Sequence, residues 1–206
     1  MHVEVKHPLV SHKLTLVRDK TTGVKLFREL IGEITQFLAY EALRAIPVEP
    51  VEVETPLAVA KGVRVKGEIV LVPILRAGVG MLDALMDLVP NARVGFLGLY
   101  RDHETSLPVA YYAKLPPATP GAVAILIDPM LATAGSAAAA VTTLKERGYA
   151  NIVFICIVSC PEGLARFEAA HPDVAVYTAS VDDGLDANKY ILPGLGDAGD
   201  RLFGTK

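Results

Sequence analysis

From Glu68 onward the chain alternates continuous apolar runs with helix-like stretches, and that alternation leaves few folds open. The strand-like runs cover residues 69–72, 93–99, 123–127, 152–158 and 174–178. Helix-like segments lie between most of them, at 80–88, 136–147 and 162–170, with Gly148 as a helix stop. Strands without polar alternation are covered on both faces. The pattern therefore predicts an α/β fold, a parallel sheet flanked by helices. Ligands of such sheets bind beyond the carboxyl ends of the strands.

The flanking segments read differently. Thr21-Thr22 can open a peripheral helix whose positions Val24, Phe27, Ile31, Ile34, Phe37 and Leu38 keep helical spacing, ending near Pro47. Residues 48–65 alternate apolar and charged in Val51-Glu-Val-Glu54, interrupted by Pro50 and Pro56, which suits an edge strand or a projecting β-arm. Residues 101–120 carry Pro108, Pro116, Pro117 and Pro120 without periodicity and read as an irregular lid. The Gly- and Asp-rich tail from Asp182 follows a strand end and can cover the same site. One domain results: N-terminal helices and β-arm (1–67), α/β core with lid (68–180) and a C-terminal hood (181–206).

Residues 128–136 read Asp-Pro-Met-Leu-Ala-Thr-Ala-Gly-Ser, between the apolar run 122–127 and the helix-forming stretch 137–147. A buried strand here ends in a carboxylate, turns through small residues and enters a helix. Free N–H groups and the helix dipole at that junction favour a phosphate, and Asp128 can accept hydrogen bonds from sugar hydroxyls. A phosphorylated ribose has both features. An ordinary capped helix with Ser136 at its N-cap is the alternative, but it leaves unexplained a carboxylate that ends a buried strand.

Composition narrows the partners. A net charge of −3 gives no footprint for nucleic acid or an anionic membrane, so an anionic ligand has to be met by a local pocket. No run reaches transmembrane length and the N-terminus lacks a signal-peptide pattern, which predicts a cytoplasmic location. Cys156 and Cys160, without a nearby His, read as buried structural thiols. His2, His7, His12, His103 and His171 have no evident Ser or Cys partner, so a hydrolase triad is unsupported.

Arg76, in Val72-Pro-Ile-Leu-Arg-Ala-Gly-Val-Gly80, sits where a strand meets a flexible loop, suited to bidentate capture of a diphosphate. Gly78 and Gly80 could open a dinucleotide fingerprint, but Asp83 stands where a third small residue belongs and would oppose pyrophosphate. No P-loop motif occurs. Arg101 follows another strand, at the base of the lid. Asp182, Asp183, Asp197 and Asp200 lack calcium-loop spacing and mostly read as turn formers.

These segments together resemble the uracil phosphoribosyltransferase family, of the type I phosphoribosyltransferase group. The resemblance runs nearly end to end: Val5-Lys-His-Pro-Leu9, Val72–Gly78, Tyr100-Arg101, Asp128–Ser136, Ala170-His-Pro-Asp173, Tyr177-Thr-Ala-Ser180, Tyr190-Ile-Leu-Pro-Gly-Leu-Gly-Asp-Ala-Gly-Asp200 and Phe203-Gly-Thr-Lys206. It implies transfer of 5-phosphoribosyl from 5-phosphoribosyl diphosphate (PRPP) to N1 of uracil, giving UMP and diphosphate. Arg76, Arg101 and Asp128 would be catalytic. PRPP would meet these residues, Asp197, and the loop Pro129, Met130, Leu131, Ala132, Thr133, Ala134, Gly135 and Ser136. Uracil would meet the main chain of Ile191, Gly196, Asp197 and Ala198.

The resemblance further implies Mg²⁺ on the diphosphate, with no protein side chain as direct ligand, a GTP effector, and a homodimer or higher homo-oligomer. Two departures stand out. Pro129 replaces the second acid found in many type I members, as this subfamily also has it. Ala134 replaces a glycine of the usual Thr-Gly-Gly-Ser, costing about 1 kcal/mol if φ is positive there. A regulator that binds PRPP without turnover, or transfer to another nucleobase, are the rival readings.

Overall fold

The computed structural model describes residues 1–101 and 108–205; the side chains of Tyr100, Arg101 and Pro108 lie outside what is described. A short strand β1 (His2–Glu4) precedes helices α1 (Pro8–Arg18) and α2 (Val24–Ala42). His7 caps α1 by accepting from the Leu9 amide at 3.2 Å, and Pro8 takes the first helical position, where a missing N–H costs nothing. An antiparallel hairpin follows, β2 (Val48–Glu54) and β3 (Val59–Val65), exposed over most of its length.

The core then runs β4 (Ile69–Leu75), α3 (Val79–Leu88), β5 (Arg93–Val94), β6 (Phe96–Arg101), β7 (Pro108–Lys114), β8 (Val123–Ile127), β9 (Met130–Leu131), α4 (Gly135–Glu146), β10 (Asn151–Ser159), α5 (Pro161–Ala170) and β11 (Ala175–Val181). The tail holds β12 (Gly184–Leu185), β13 (Ile191–Leu192) and α6 (Ala198–Phe203). The main sheet is ordered β1-β11-β10-β8-β4-β6-β7, with β5 beside β4 and β9 beside β10. Its pairings are parallel except β6 with β7.

Strand periodicity sorts the apolar side chains into two layers. Leu71, Ile125, Ile127, Ile155 and Ile157 face α1, α2, α3 and α6, whereas Val70, Val72, Ala124, Leu126, Phe154 and Cys156 face α4 and α5. Both faces of β4, β8 and β10 are dry, which is why these strands carry no polar alternation. Among the described residues, no helix is long and apolar enough to cross a membrane.

Three expectations change. The helix from Val24 is not peripheral: Phe27, Ile31, Ile34 and Leu38 are fully buried, so its apolar face is satisfied within the chain. β1 extends the sheet edge in parallel with β11, a pairing too short to read from sequence. Part of the predicted irregular lid is a strand, β7, folded back on β6; residues 102–107, including His103, lie outside the described residues. Pro108 sits at the first position of that strand and Pro116 beyond its end, where proline removes no ladder hydrogen bond.

Candidate active site

β4, β6, β8, β10 and β11 all point their carboxyl ends to one edge, and the predicted residues gather there. Asp128 follows β8, its N–H donating to the Ile155 carbonyl at 3.2 Å. The Pro129 carbonyl accepts from Ile157 and Val158, at 3.0 and 3.1 Å, and Met130 and Leu131 pair with β10 as β9. The first half of the loop is thus stitched to the sheet.

Its second half rests on α5. The Cys160 thiol donates to the Ala132 carbonyl at 3.3 Å, and a Cβ on Gly163 would come within 2.4 Å of that oxygen. Only glycine permits this approach. Both cysteines are buried, as expected, and burial pushes the Cys156 thiol up to about 12, so it stays protonated.

Thr133, Ala134, Gly135 and Ser136 lead into α4, whose N-cap is Ala134 and not Ser136. The N-cap residue Ala134 offers no capping side chain of its own. The first turn of this twelve-residue helix faces the strand ends, and a helix N-terminus so placed favours a phosphate. Ala134 adopts φ 62°, the left-handed region. For alanine this costs about 1–2 kcal/mol, whereas glycine would lose roughly 0.5–1 kcal/mol of entropy and a buried methyl worth about 0.8 kcal/mol. The terms nearly cancel. Ala134→Gly should leave stability within about 1 kcal/mol of the parent in thermal melts; a loss of more than twice that would contradict the left-handed assignment.

Asp128 is partly buried at the end of β8. Burial, only partly offset by the Met130 N–H, pushes its pKa up from the ordinary 3.8 to about 7. Among the described residues no cation offsets this desolvation, a setting suited to a carboxylate that accepts hydrogen bonds from hydroxyls.

Arg76 follows β4, with its side chain 62% exposed and a long contact, 3.6 Å, to Asp200. Gly78 holds its loop against β8: a Cβ there would lie 2.5 Å from the Ile127 carbonyl. Arg76, Leu99, Tyr111, Met130, Asp197 and Gly199 line a cleft of about 320 Å³. A larger groove of about 660 Å³ runs along α2 by Gln36, Phe37 and Tyr40, but no residue of the 128–136 loop lines it. Chemistry, not size, favours the smaller one. The Arg101 backbone ends β6, beside β4; its side chain lies outside the described residues.

The hood reaches over this edge. Asp197 caps α6, accepting from the Asp200 amide at 2.9 Å, and buried Ala198 begins that helix. Gly196 has φ 75°, and Ile191, largely buried, pairs with Leu185 across β12 and β13. The structure thus gathers Arg76, Met130 and Asp197 at one cleft, with the Asp128 loop beside it; Ile191 is not among the residues that line that cleft. Among the described residues, no three His, Cys, Asp or Glu side chains converge into a metal cage. A divalent ion at this edge would take most of its oxygens from a ligand's phosphates.

Sequence reasoning missed Asp182 and Arg18. Asp182, read as a turn former, is buried and paired with the last residue of α1. The only local signal was an acid at the end of another parallel strand, and its partner lies 164 residues away.

Comparison with known proteins gives a consistent picture. The family model described as uracil phosphoribosyltransferase matches residues 4–205. A uracil phosphoribosyltransferase from Dictyoglomus thermophilum is 54% identical over 207 aligned positions, spanning 100% of both chains. One from Alkaliphilus oremlandii is 53% identical over 203, spanning 98% of this chain and 97% of its own. Among solved structures, the AQ2163 protein from Aquifex aeolicus superposes with a TM-score of 0.93 at 39% identity, covering 98% of each chain.

Proposed function

The chain belongs to the uracil phosphoribosyltransferase family, and from that premise we propose that it converts uracil and PRPP into UMP and diphosphate. The observation that carries this reading is the N-terminus of α4, entered through left-handed Ala134, beside a desolvated Asp128 at the end of β8. The amides of Ala132, Thr133, Ala134, Gly135 and Ser136 would hold the 5′-phosphate, and Asp128 the ribose hydroxyls. Arg76 and Arg101 would bind the diphosphate, with Asp197 near the ribosyl group.

Breaking the bond from ribose C1 to the diphosphate leaves an electron-poor sugar and an anionic leaving group. Arginines fixed where that charge develops lower the barrier without reorganising. Uracil held with N1 in line with C1 supplies proximity. Mg²⁺ carried on the PRPP diphosphate would neutralise part of its charge, and the chain's own contribution is to grip the oxygens that the ion leaves free. The β6–β7 hairpin flanks the cleft through Leu99 and Tyr111 and is suited to exclude water from the activated sugar.

Main-chain groups of Ile191, Gly196, Asp197 and Ala198 would read the base, an N–H toward uracil O4 and a carbonyl toward N3–H. Cytosine presents the reverse pattern and would leave buried groups unpaired. Cytosine should therefore be poorer by about 10⁴ in kcat/KM; comparable turnover of both bases would overturn this base-reading scheme. The same family reading carries a cytoplasmic location, a GTP effector and a homodimer or larger homo-oligomer. Leu57, Val59 and Val63, exposed on the β2–β3 arm, support self-association. The direct test is UMP formation from uracil, PRPP and Mg²⁺, run against the other nucleobases. PRPP binding without UMP formation would make the protein a sensor.

A further inference from the structure

The loop that carries Ile191, Gly196 and Ala198 is fastened to the opposite end of the chain by one ion pair. Arg18 Nη1 donates to Asp182 Oδ2 and to the Gly194 carbonyl, both at 2.7 Å. Its Nη2 donates to Asp182 Oδ1 at 2.6 Å and to Ser180 Oγ at 3.2 Å. The Ser180 hydroxyl donates in turn to Asp182 Oδ1 at 2.7 Å, and the Gly194 N–H donates to Asp182 Oδ2 at 2.9 Å. Both backbone polar groups of Gly194 are therefore held, one by each member of the pair.

Gly194 is where the loop folds back on itself. Its φ is 59°, and a Cβ there would lie 2.1 Å from the Ile191 carbonyl oxygen. The next carbonyl, of Leu195, accepts from Arg201 Nη1 at 2.8 Å, while Arg201 Nη2 donates to the Asp19 carbonyl at 2.6 Å. Two consecutive residues of the loop are thus gripped by arginines, Arg18 at the C-terminal end of α1 and Arg201, which also bonds to the residue that follows that helix. Neither grip touches the 128–136 loop.

The Asp182 side chain is 1% exposed and that of Arg18 23%. Burial opposes the charged form of Asp182, but hydrogen bonds from Arg18 and Ser180, the Arg18 charge and the Gly194 N–H hold its carboxyl below the usual range. A buried ion pair adds little net stability over a well-packed apolar pair, so fold stability alone is a weak reason for one here. Its hydrogen bonds converge on a single loop residue.

We propose that Arg18 and Asp182 are positioning residues for the base pocket: by fixing Gly194 they set the main-chain groups of Ile191 and of Gly196 to Ala198 that read uracil. This rests on the uracil phosphoribosyltransferase reading above. Disturbing the pair misplaces the base-reading groups and leaves the sugar-phosphate cradle intact.

The test is the kinetics of Asp182→Asn and Arg18→Lys with both substrates varied, together with PRPP titration calorimetry. Asp182→Asn should raise KM for uracil about 10- to 100-fold while the Kd for PRPP stays within about twofold of the parent. Arg18→Lys should fall between the two, because an ammonium keeps the charge but cannot span all the acceptors of the guanidinium fork. A PRPP-induced rise in melting temperature certifies the fold of each variant, and Arg18→Lys decides the matter if Asp182→Asn does not fold. Equal losses for uracil and PRPP, or an unchanged uracil KM in a folded variant, would overturn the proposal. A parent protein that forms no UMP would instead overturn the proposed activity, and this proposal with it.

Discussion

Asp128→Asn should bind PRPP about 10- to 100-fold more weakly and yet melt at a higher temperature than the parent at pH 8. The affinity loss follows from replacing a charged acceptor of ribose hydroxyls by a neutral amide that still accepts the Met130 N–H. The stability gain follows from linkage. The ordinary carboxyl pKa is 3.8, and burial raises that of Asp128 to about 7 in the folded chain. Below about pH 4 both states hold the proton and the group contributes nothing. Between those values the folded chain keeps a proton that the unfolded chain has lost, so stability falls as pH rises through that window. Above pH 7 the folded state carries a desolvated charge, which asparagine removes. Relief of about 1–3 kcal/mol corresponds to roughly 2–4 °C per kcal/mol for a chain of this size. Melting curves of both proteins at pH 4.5 and pH 8 check the sign: the variant's advantage should appear only at the higher pH. PRPP affinity of the parent should rise from pH 6 to 8 relative to that of the variant, a comparison in which the ligand's own titration cancels. Equal melting temperatures at both pH values would show that the carboxyl is not desolvated.

Arg76→Ala should lower kcat by about 10²–10³ with a smaller change in uracil KM, the signature of a group whose interaction strengthens as the diphosphate departs. Stability should change little, because the side chain is mostly exposed and its Asp200 contact is long. Arg101→Ala should behave alike in single-turnover measurements, since both arginines are proposed to meet one leaving group. A variant at either position that keeps full turnover would remove that arginine from the chemistry. If Arg76→Ala instead raised KM for uracil alone, the residue would belong to base recognition.

Much of the fold was legible because its central strands are buried on both faces. The runs in β4, β8 and β10 are continuous, and Gly148 and the Asp128 junction punctuate them clearly. What escaped notice depends on contacts distant in sequence. β1 is three residues long and is a strand only because β11 offers it a free edge. β7 reads as irregular because its pairing with β6 is antiparallel and its side chains are largely exposed, so neither apolar continuity nor prolines identify it. The helix from Val24 has the pattern of an amphipathic element, but only the tertiary structure reveals that its apolar face meets the sheet.

The candidate site was legible where a motif is local. Residues 128–136 occupy the expected strand–loop–helix, and the structure assigns Ala134 the left-handed conformation that sequence could pose only as one of two alternatives. Gly163 carried no signal and Gly78 only that of a rejected dinucleotide fingerprint, since what forbids a side chain at either is the carbonyl of a different segment. Arg18 was invisible for the same reason. Its partners Ser180, Asp182 and Gly194 come from the far end of the chain, and no periodicity connects them.

A crystal structure of the protein grown with PRPP and Mg²⁺ bears most directly on the cradle at 128–136. The 5′-phosphate should accept hydrogen bonds from the amides between Ala132 and Ser136, with both ribose hydroxyls within hydrogen-bond distance of Asp128. PRPP ordered at another surface, with that loop empty, would contradict the account.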